Sequence, residues 1–553
     1  MARNNNNKRT TQRTTNTTPR GDKTRNTRET DRRGDNTVDN RKRGGKFTGG
    51  NDPEWYNKHP DLVRDSSSIW FNRRLGTKFH NYSDYITPGG TSVVGRFGTS
   101  GTDYSGDALP GFMIYYYLPG PGVSTGSDSA INVAAQSLYA KIRIDNSGAK
   151  NYEAPDLMMY LLAMDEVVQW WANLIRIYGL MNAFSATNNY LPKHIVTAMG
   201  YNFDDLQANL ANFRAHINSI PRWLSKFYIP GNLDIFKRHI WMSQFMFLDS
   251  ANDQAQFYIF RNSGYRIWDD TTGTLHRSNL NVANKLTYAQ IVDITSSILT
   301  PILASEDFGL ISGDIRKSWG DMVYAWQLMP EDYITQSFYD PNVLSMIENA
   351  VVTNVLDTDI TQHYSGDPNK PDYIVWEPQL RIPQNTAYLA NADKIMNFHH
   401  TDVQPLEVMY SSRFIPTFDI DMDTVGNLDA TKDFDVDSCG AEILQHAYIY
   451  KLVWLTDGTG PNLVRAEVPS YTQQAVASAG SEMLTTITGM QDLSAFDFAH
   501  QVQVGVYTSN QNDVMRIAYD SCKYDVATMV SKLNLKEMNK IALLSLWDFP
   551  LGK

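Results

Sequence analysis

No core can be built from the first fifty residues of this chain. Met1, Ala2, Val38 and Phe47 are their only apolar side chains, and most of the rest are Asn, Thr, Gly or charged. So little burial cannot offset the entropy of ordering the backbone. The segment holds fourteen cations, Arg3, Lys8, Arg9, Arg13, Arg20, Lys23, Arg25, Arg28, Arg32, Arg33, Arg41, Lys42, Arg43 and Lys46. Five acids (Asp22, Glu29, Asp31, Asp35 and Asp39) oppose them, a balance of +9. Of the 49 basic and 60 acidic residues in the chain, 35 and 55 are left for positions 51–553, a balance of −20. Residues 1–50 are therefore expected to be a disordered basic arm, ending at the Gly44-Gly45 and Gly49-Gly50 pairs. A cationic arm on an acidic body suits a protein that holds a polyanion on one side and faces solvent on the other.

The body is long enough to exceed a single hydrophobic core, so two or three domains are expected. Its apolar residues suffice for a packed interior, and aromatics at 12% of the chain favour large subunit interfaces. Two cysteines, Cys439 and Cys522, make neither a disulfide framework nor a zinc site and fit a reducing compartment. The run from Leu157 to Phe184 is interrupted by Asp165, Glu166, Gln169, Asn173 and Arg176. It is expected to be a buried amphipathic helix and not a membrane span. No apolar stretch of secretory type opens the sequence, and the expectation is a soluble intracellular protein.

Beyond the arm, Trp55 to Gly126 is aromatic and Gly-rich, and Phe112-Met-Ile-Tyr-Tyr-Tyr-Leu118 reads as a strand. Pro155 to about Leu248 reads as helical. Asn202 is placed to cap a helix through Phe203, Leu206, Leu210, Phe213 and Ile217, stopped by Pro221. Thr287 and Gln290 form a capping-box pattern ahead of Ile291, Ile294, Ile298 and Ile302, with Pro301 expected to kink or shorten that helix. Asp357 to Pro469 is strand-patterned and acidic, and a last helix over about Leu533 to Trp547 should return to the body.

Among possible sites the arm is the strongest. Its cations follow one another closely enough to track a phosphate backbone. Neutralising about nine phosphates of a duplex gives a log–log salt slope of about −8. With Phe47 as its only aromatic, base stacking has no support and binding should be sequence-neutral. The alternatives for the arm are a solubilising tail and, at Arg41-Lys-Arg43, a nuclear import signal. The Arg-Gly-Asp triplets at 20–22 and 33–35 are what chance gives in so biased a segment. Asp419, Asp421 and Asp423, and then Asp433, Asp435 and Asp437, alternate with apolar residues. Their carboxylates share one strand face, which could take calcium but reads better as a solvated outer face. His399-His400 with Asp402 lacks further suitably spaced histidines for a metal. His194 and His216 stand alone in helical context. No P-loop, nucleophile elbow or polymerase-type Gly-Asp-Asp is present, so neither an enzyme nor a cofactor is expected.

The run Asn188-Asn-Tyr-Leu-Pro-Lys-His-Ile-Val-Thr-Ala-Met-Gly200 resembles the middle of picobirnavirus capsid proteins. Asp204-Asp-Leu-Gln-Ala-Asn-Leu-Ala-Asn-Phe-Arg214, Ile217-Asn218, Pro221, Pro230 and Arg238-His-Ile-Trp241 through Asp249 continue it. Chain length, basic arm and order of sections are similar to those of the human-type members. The resemblance implies a homodimer that self-assembles into an icosahedral T=1 shell around double-stranded RNA, in the virion and, during assembly, the host cytoplasm. It implies a fold that is mainly α with β-rich portions: a helical shell domain plus a protruding domain. We place the shell in residues 51–255 and 475–553 and the protrusion in 256–474. The arm matches the family in character and not residue by residue, so its RNA-facing role rests on charge. The rival is a cellular RNA-binding protein that never forms a shell.

Overall fold

A computed structural model describes residues 52–67, 111–146, 151–183, 191–251, 255–278, 285–367, 371–383, 390, 393–420, 431–454, 461–468, 472–476, 493, 496–507, 516–520 and 526–550. The chain divides into two units, Met1–Arg43 and Gly44–Lys553. The first lies wholly outside the described residues, and every element named below belongs to the second.

The helices of that second unit run in the order α1 (Pro60–Ser67), α2 (Ala130–Asp145), α3 (Ala154–Ala183), α4 (Leu191–Ala198), α5 (Phe203–Ala208), α6 (Leu210–Trp223), α7 (Asp234–Gln244), α8 (Tyr288–Ala304), α9 (Glu306–Trp319) and α10 (Pro341–Glu348). Two more, Pro405–Ser411 and Lys532–Leu546, come after them. α3 is the axis of the interior. Every one of its residues except Asp156, Asn182 and Ala183 is buried, and α2, α4, α6, α7, α8 and α9 all pack on it. The expected amphipathic helix is thus corrected: α3 has no solvent face, because neighbouring helices and strands cover it on all sides. No helix among the described residues is long and apolar enough to cross a membrane.

Beside this bundle lies a six-stranded sheet. Its order is Pro461–Glu467, Glu442–Trp454, Phe112–Pro119, Phe257–Asn262, Met246–Leu248, Ser337–Phe338. Phe112–Pro119 is the strand expected from sequence, and all eight of its residues are buried. It pairs antiparallel with Glu442–Trp454 and parallel with Phe257–Asn262. Aromatic pairs secure the register. Phe112 stacks on Tyr450 at 5.2 Å, and Tyr116 meets Tyr448 edge-on at 5.4 Å. On the helical side Trp241 of α7 packs against Phe247 at 4.9 Å. With this sheet and the smaller ones among the described residues, the fold is a mixture of helix and sheet, a coarser statement than the expected mainly helical class. The sheet also joins strands from both sides of position 255.

Local signals explain several element ends. Thr287 and Gln290 close the capping box of α8, the Thr287 amide donating to Gln290 Oε1 at 2.9 Å. Pro301 sits inside that helix, which ends three residues later at Ala304. Asn202 caps as expected, its Oδ1 accepting from the Asp205 amide at 3.2 Å. The single helix expected after it is in fact two. At Asn209 the backbone departs from helical angles (φ −111°, ψ 20°), and its amide reaches both the Asp205 and Leu206 carbonyls. Pro221 does not stop α6 outright, since it lies in the final turn and the helix runs on to Trp223. Lys532–Leu546 packs on α1 and α2, so the C-terminus does return to the body.

Candidate functional site

A helix buried on all sides must find partners for its polar residues. Asp165, Gln169, Asn173 and Arg176 of α3 follow one another at four, four and three residues, which makes one stripe on the helix. Asp165 and Gln169 face a buried ionic network, while Asn173 donates to the Tyr201 hydroxyl and Arg176 to the Met242 and Phe245 carbonyls.

Arg238 of α7 is its centre. Nε donates to Glu442 Oε1 at 2.6 Å and one terminal nitrogen to Glu442 Oε2 at 2.8 Å, while the other donates to the Tyr56 hydroxyl. Arg238 is 0% exposed, and this fork on a carboxylate is the geometry in which guanidinium pairs best. Its neighbour His239 lies between two carboxylates, Nδ1 2.6 Å from Asp165 Oδ2 and Nε2 3.1 Å from Glu442 Oε1. Burial by itself would lower the pKa of this imidazole. The two flanking carboxylates outweigh burial and hold it up at about 9. Glu442 is the converse: burial would raise it, but Arg238 and His239 pull it down to about 2. Gln169 links the network to the sheet, donating to Asp165 Oδ2 at 2.8 Å and accepting from the Tyr117 hydroxyl at 3.0 Å.

A second cluster adjoins the first through Glu166. Arg266 donates to Glu166 Oε1 at 3.1 Å, to Asp357 Oδ1 at 2.6 Å and to the Pro119 carbonyl at 2.8 Å. Arg277 reaches Asp357 Oδ2 at 3.0 Å. Burial pushes Glu166 up to about 7, with Arg266 opposing and the Asp165 and Asp357 charges assisting. Four carboxylates (Asp165, Glu166, Asp357 and Glu442) thus meet four cations (Arg238, His239, Arg266 and Arg277). Asp165, Glu166, Arg266 and Trp547 also line a cavity of about 10 Å³, and each has a buried polar atom without a protein partner. That space fits about one water molecule and no substrate. The arrangement binds the chain from Tyr56 to Glu442 into one body; it offers no nucleophile to a ligand.

The fourteen arm cations, Arg3 to Lys46, lie outside the described residues, as do Asp421, Asp423 and Cys522. Other candidates have ordinary partners. Arg381 forks onto Asp433 at 2.8 and 3.0 Å, Lys536 holds Asp437 at 2.7 Å, and Asp419 stands opposite Asp435 in the strand register. His399 meets Glu348 at 3.0 Å and His400 meets Glu407 at 2.6 Å, so the two rings take separate carboxylates. His216 shares a hydrogen bond with Thr295 at 2.9 Å, and burial lowers both His194 and His216. Burial pushes the Cys439 thiol up to about 12, which makes it inert.

The block that carried the resemblance proves to be a set of ties between segments. Asp205 accepts from the Tyr288 amide at 2.6 Å, and Asn218 exchanges two hydrogen bonds with the Met329 backbone, at 2.8 and 3.1 Å. Arg238 and His239 are the network itself. Sequence reasoning did not find their partners Tyr56, Arg266, Asp357 and Glu442, which no spacing rule connects.

A family model described as picobirnavirus capsid protein matches residues 55–534. A capsid protein precursor of human picobirnavirus (strain Human/Thailand/Hy005102/-) is 29% identical over 332 residues, 58% of this chain and 58% of that protein. The chain therefore matches less than two thirds of that relative's length. An X-ray crystallographic structure of the picobirnavirus capsid aligns with a TM-score of 0.69 at 22% identity, covering 90% of this chain and 98% of the other. That likeness is one of fold.

Proposed function

Because the chain belongs to the picobirnavirus capsid protein family, structural proteins of the virion and not enzymes, we propose that it dimerises, closes into a T=1 icosahedral shell and gathers double-stranded RNA through its arm. The observation that carries the RNA reading is the charge partition, +9 in residues 1–50 against −20 in the rest. The family match begins at residue 55, so the arm's role is argued from its chemistry alone. Fourteen cations from Arg3 to Lys46 give salt-sensitive, sequence-neutral phosphate contacts. Many copies facing one interior turn weak contacts into avid ones, while acidic bodies repel stray RNA. A wall made of such subunits needs parts that do not yield, and the buried network supports that requirement.

We keep the division into a shell, 51–255 with 475–553, and a protrusion, 256–474, as part of this proposal. Within it, Phe257–Asn262, Ser337–Phe338, Glu442–Trp454 and Pro461–Glu467 belong by pairing to the sheet built on Phe112–Pro119. The protrusion would then be formed by the parts of 256–474 outside that sheet. The decisive test is deletion of Met1 to Gly45. Particles should still form and contain almost no RNA, measured by absorbance ratio and extraction. Truncated particles with their full RNA content would remove the arm from packaging.

A further inference from the structure

Helix α9 shows solvent a face of which the subunit itself engages only Arg316, which donates to the Gly320 carbonyl and Asp321 and lies over the Tyr228 ring. Glu306, Leu310, Gly313 and Lys317 recur at four, three and four residues, on one side of the helix, and all are exposed, as are Asp307, Gly309 and Arg316. Phe308, Ile311, Ser312, Ile315 and Trp319 are buried on the other side. The exposed face is acidic at its start and basic at its end, an order the helix dipole favours by itself. The dipole does not explain Leu310, 51% exposed in the middle of the face. Nor does packing within the subunit explain the glycines beside it. A Cβ at Gly309 or Gly313 would meet nothing within 4 Å, and glycine weakens a helix interior relative to alanine.

We propose that this face is a two-fold contact with α9 of a second copy of the chain, the two helices antiparallel; the proposal rests on the reading that the chain self-assembles. A two-fold axis at the level of Ile311 and Ser312 sets Glu306 opposite the partner's Lys317. It also sets Leu310 over the partner's Gly313, where the missing side chain leaves room for it. Symmetry makes each pairing twice. The sequence of charges is self-complementary only in this antiparallel sense. Leu303 and Met322, 40% and 58% exposed, flank the helix in sequence.

The test uses the full chain, with self-association followed by sedimentation and particle yield by electron microscopy. Glu306→Lys alone, or Lys317→Glu alone, places like charges opposite each other twice per dimer. Each should weaken self-association roughly 10- to 100-fold, and the double variant should recover it. Gly313→Gln fills the space over which Leu310 sits and should also weaken association, with subunit melting temperature unchanged or raised. If the wild-type chain assembles and these variants assemble equally well, the contact is wrong and the capsid reading stands. A wild-type chain that stays monomeric at every concentration overturns both.

Discussion

Replacing Glu442 by Gln removes one negative charge from the most enclosed ion pair among the described residues. Glu442 accepts from Arg238 at 2.6 and 2.8 Å and from His239 at 3.1 Å, with 2% of its surface exposed. In the variant His239 keeps Asp165, while Arg238 loses its carboxylate and an uncompensated buried charge remains. Removing one partner from such a pair costs roughly 3–5 kcal/mol, a large part of the roughly 5–15 kcal/mol that holds a typical domain folded. Replacing both partners by apolar residues, Arg238→Met with Glu442→Leu, should cost less than the two single changes added together. Urea unfolding of the full chain reads both, through the fluorescence of Trp241, whose ring lies 5.8 Å from the Arg238 guanidinium. The pH dependence has a definite sign. Glu442 is held at about 2 against 4.5 unfolded, so its contribution is present above pH 4.5 and is lost as pH falls through about 2. His239 is held at about 9 against 6.5, so its contribution is complete below pH 6.5 and is lost as pH rises through about 9. The gap between wild type and Glu442→Gln should therefore be widest between pH 4.5 and 6.5. A loss below about 1 kcal/mol, or strict additivity in the double variant, would refute a network in which these charges depend on each other.

Glu166, raised to about 7, works in the opposite direction. Its folded form takes a proton more readily than the unfolded chain, so its contribution declines as pH rises from 4.5 to about 7. Glu166→Gln should flatten that part of the stability profile in urea titrations, and an unchanged slope would count against the assignment. Gly179→Ala tests packing. Alanine favours a helix by about 1 kcal/mol, yet its Cβ would stand 2.5 Å from the Thr335 backbone nitrogen. Overpacking of this kind costs about 1–3 kcal/mol, so the melting temperature should fall; a rise would show that the segment around Thr335 yields freely.

What the sequence made legible was local. Asn202, the Thr287–Gln290 box and the apolar spacing of Lys532–Leu546 each act within a few turns of one helix, so neighbouring residues alone locate them. The break at Asn209 was hidden, because Leu206, Leu210 and Phe213 keep helical periodicity across it and only the backbone angles differ. The polar residues inside α3 were visible and were used to argue against a membrane span. Their spacing also described a single stripe, which was the available sign of a buried network. Its remaining members could not be found in that way. Tyr56, Arg266, Asp357 and Glu442 come from four separate segments, and only the tertiary fold brings them to Arg238 and His239. The arm was legible as chemistry, because its function as proposed needs charge and not geometry.

The pairing of Phe112–Pro119 also governs how such a chain can be made. Tyr116 lies opposite His446, a separation of 330 residues. At about 5–20 residues per second, a ribosome needs about 15–65 s to deliver that partner. For that interval a strand rich in tyrosine waits on the nascent polypeptide with at least one edge unsatisfied, open to the same strand on a neighbouring ribosome. A message truncated before codon 442 would never supply the missing neighbour, and its product should collect in aggregates.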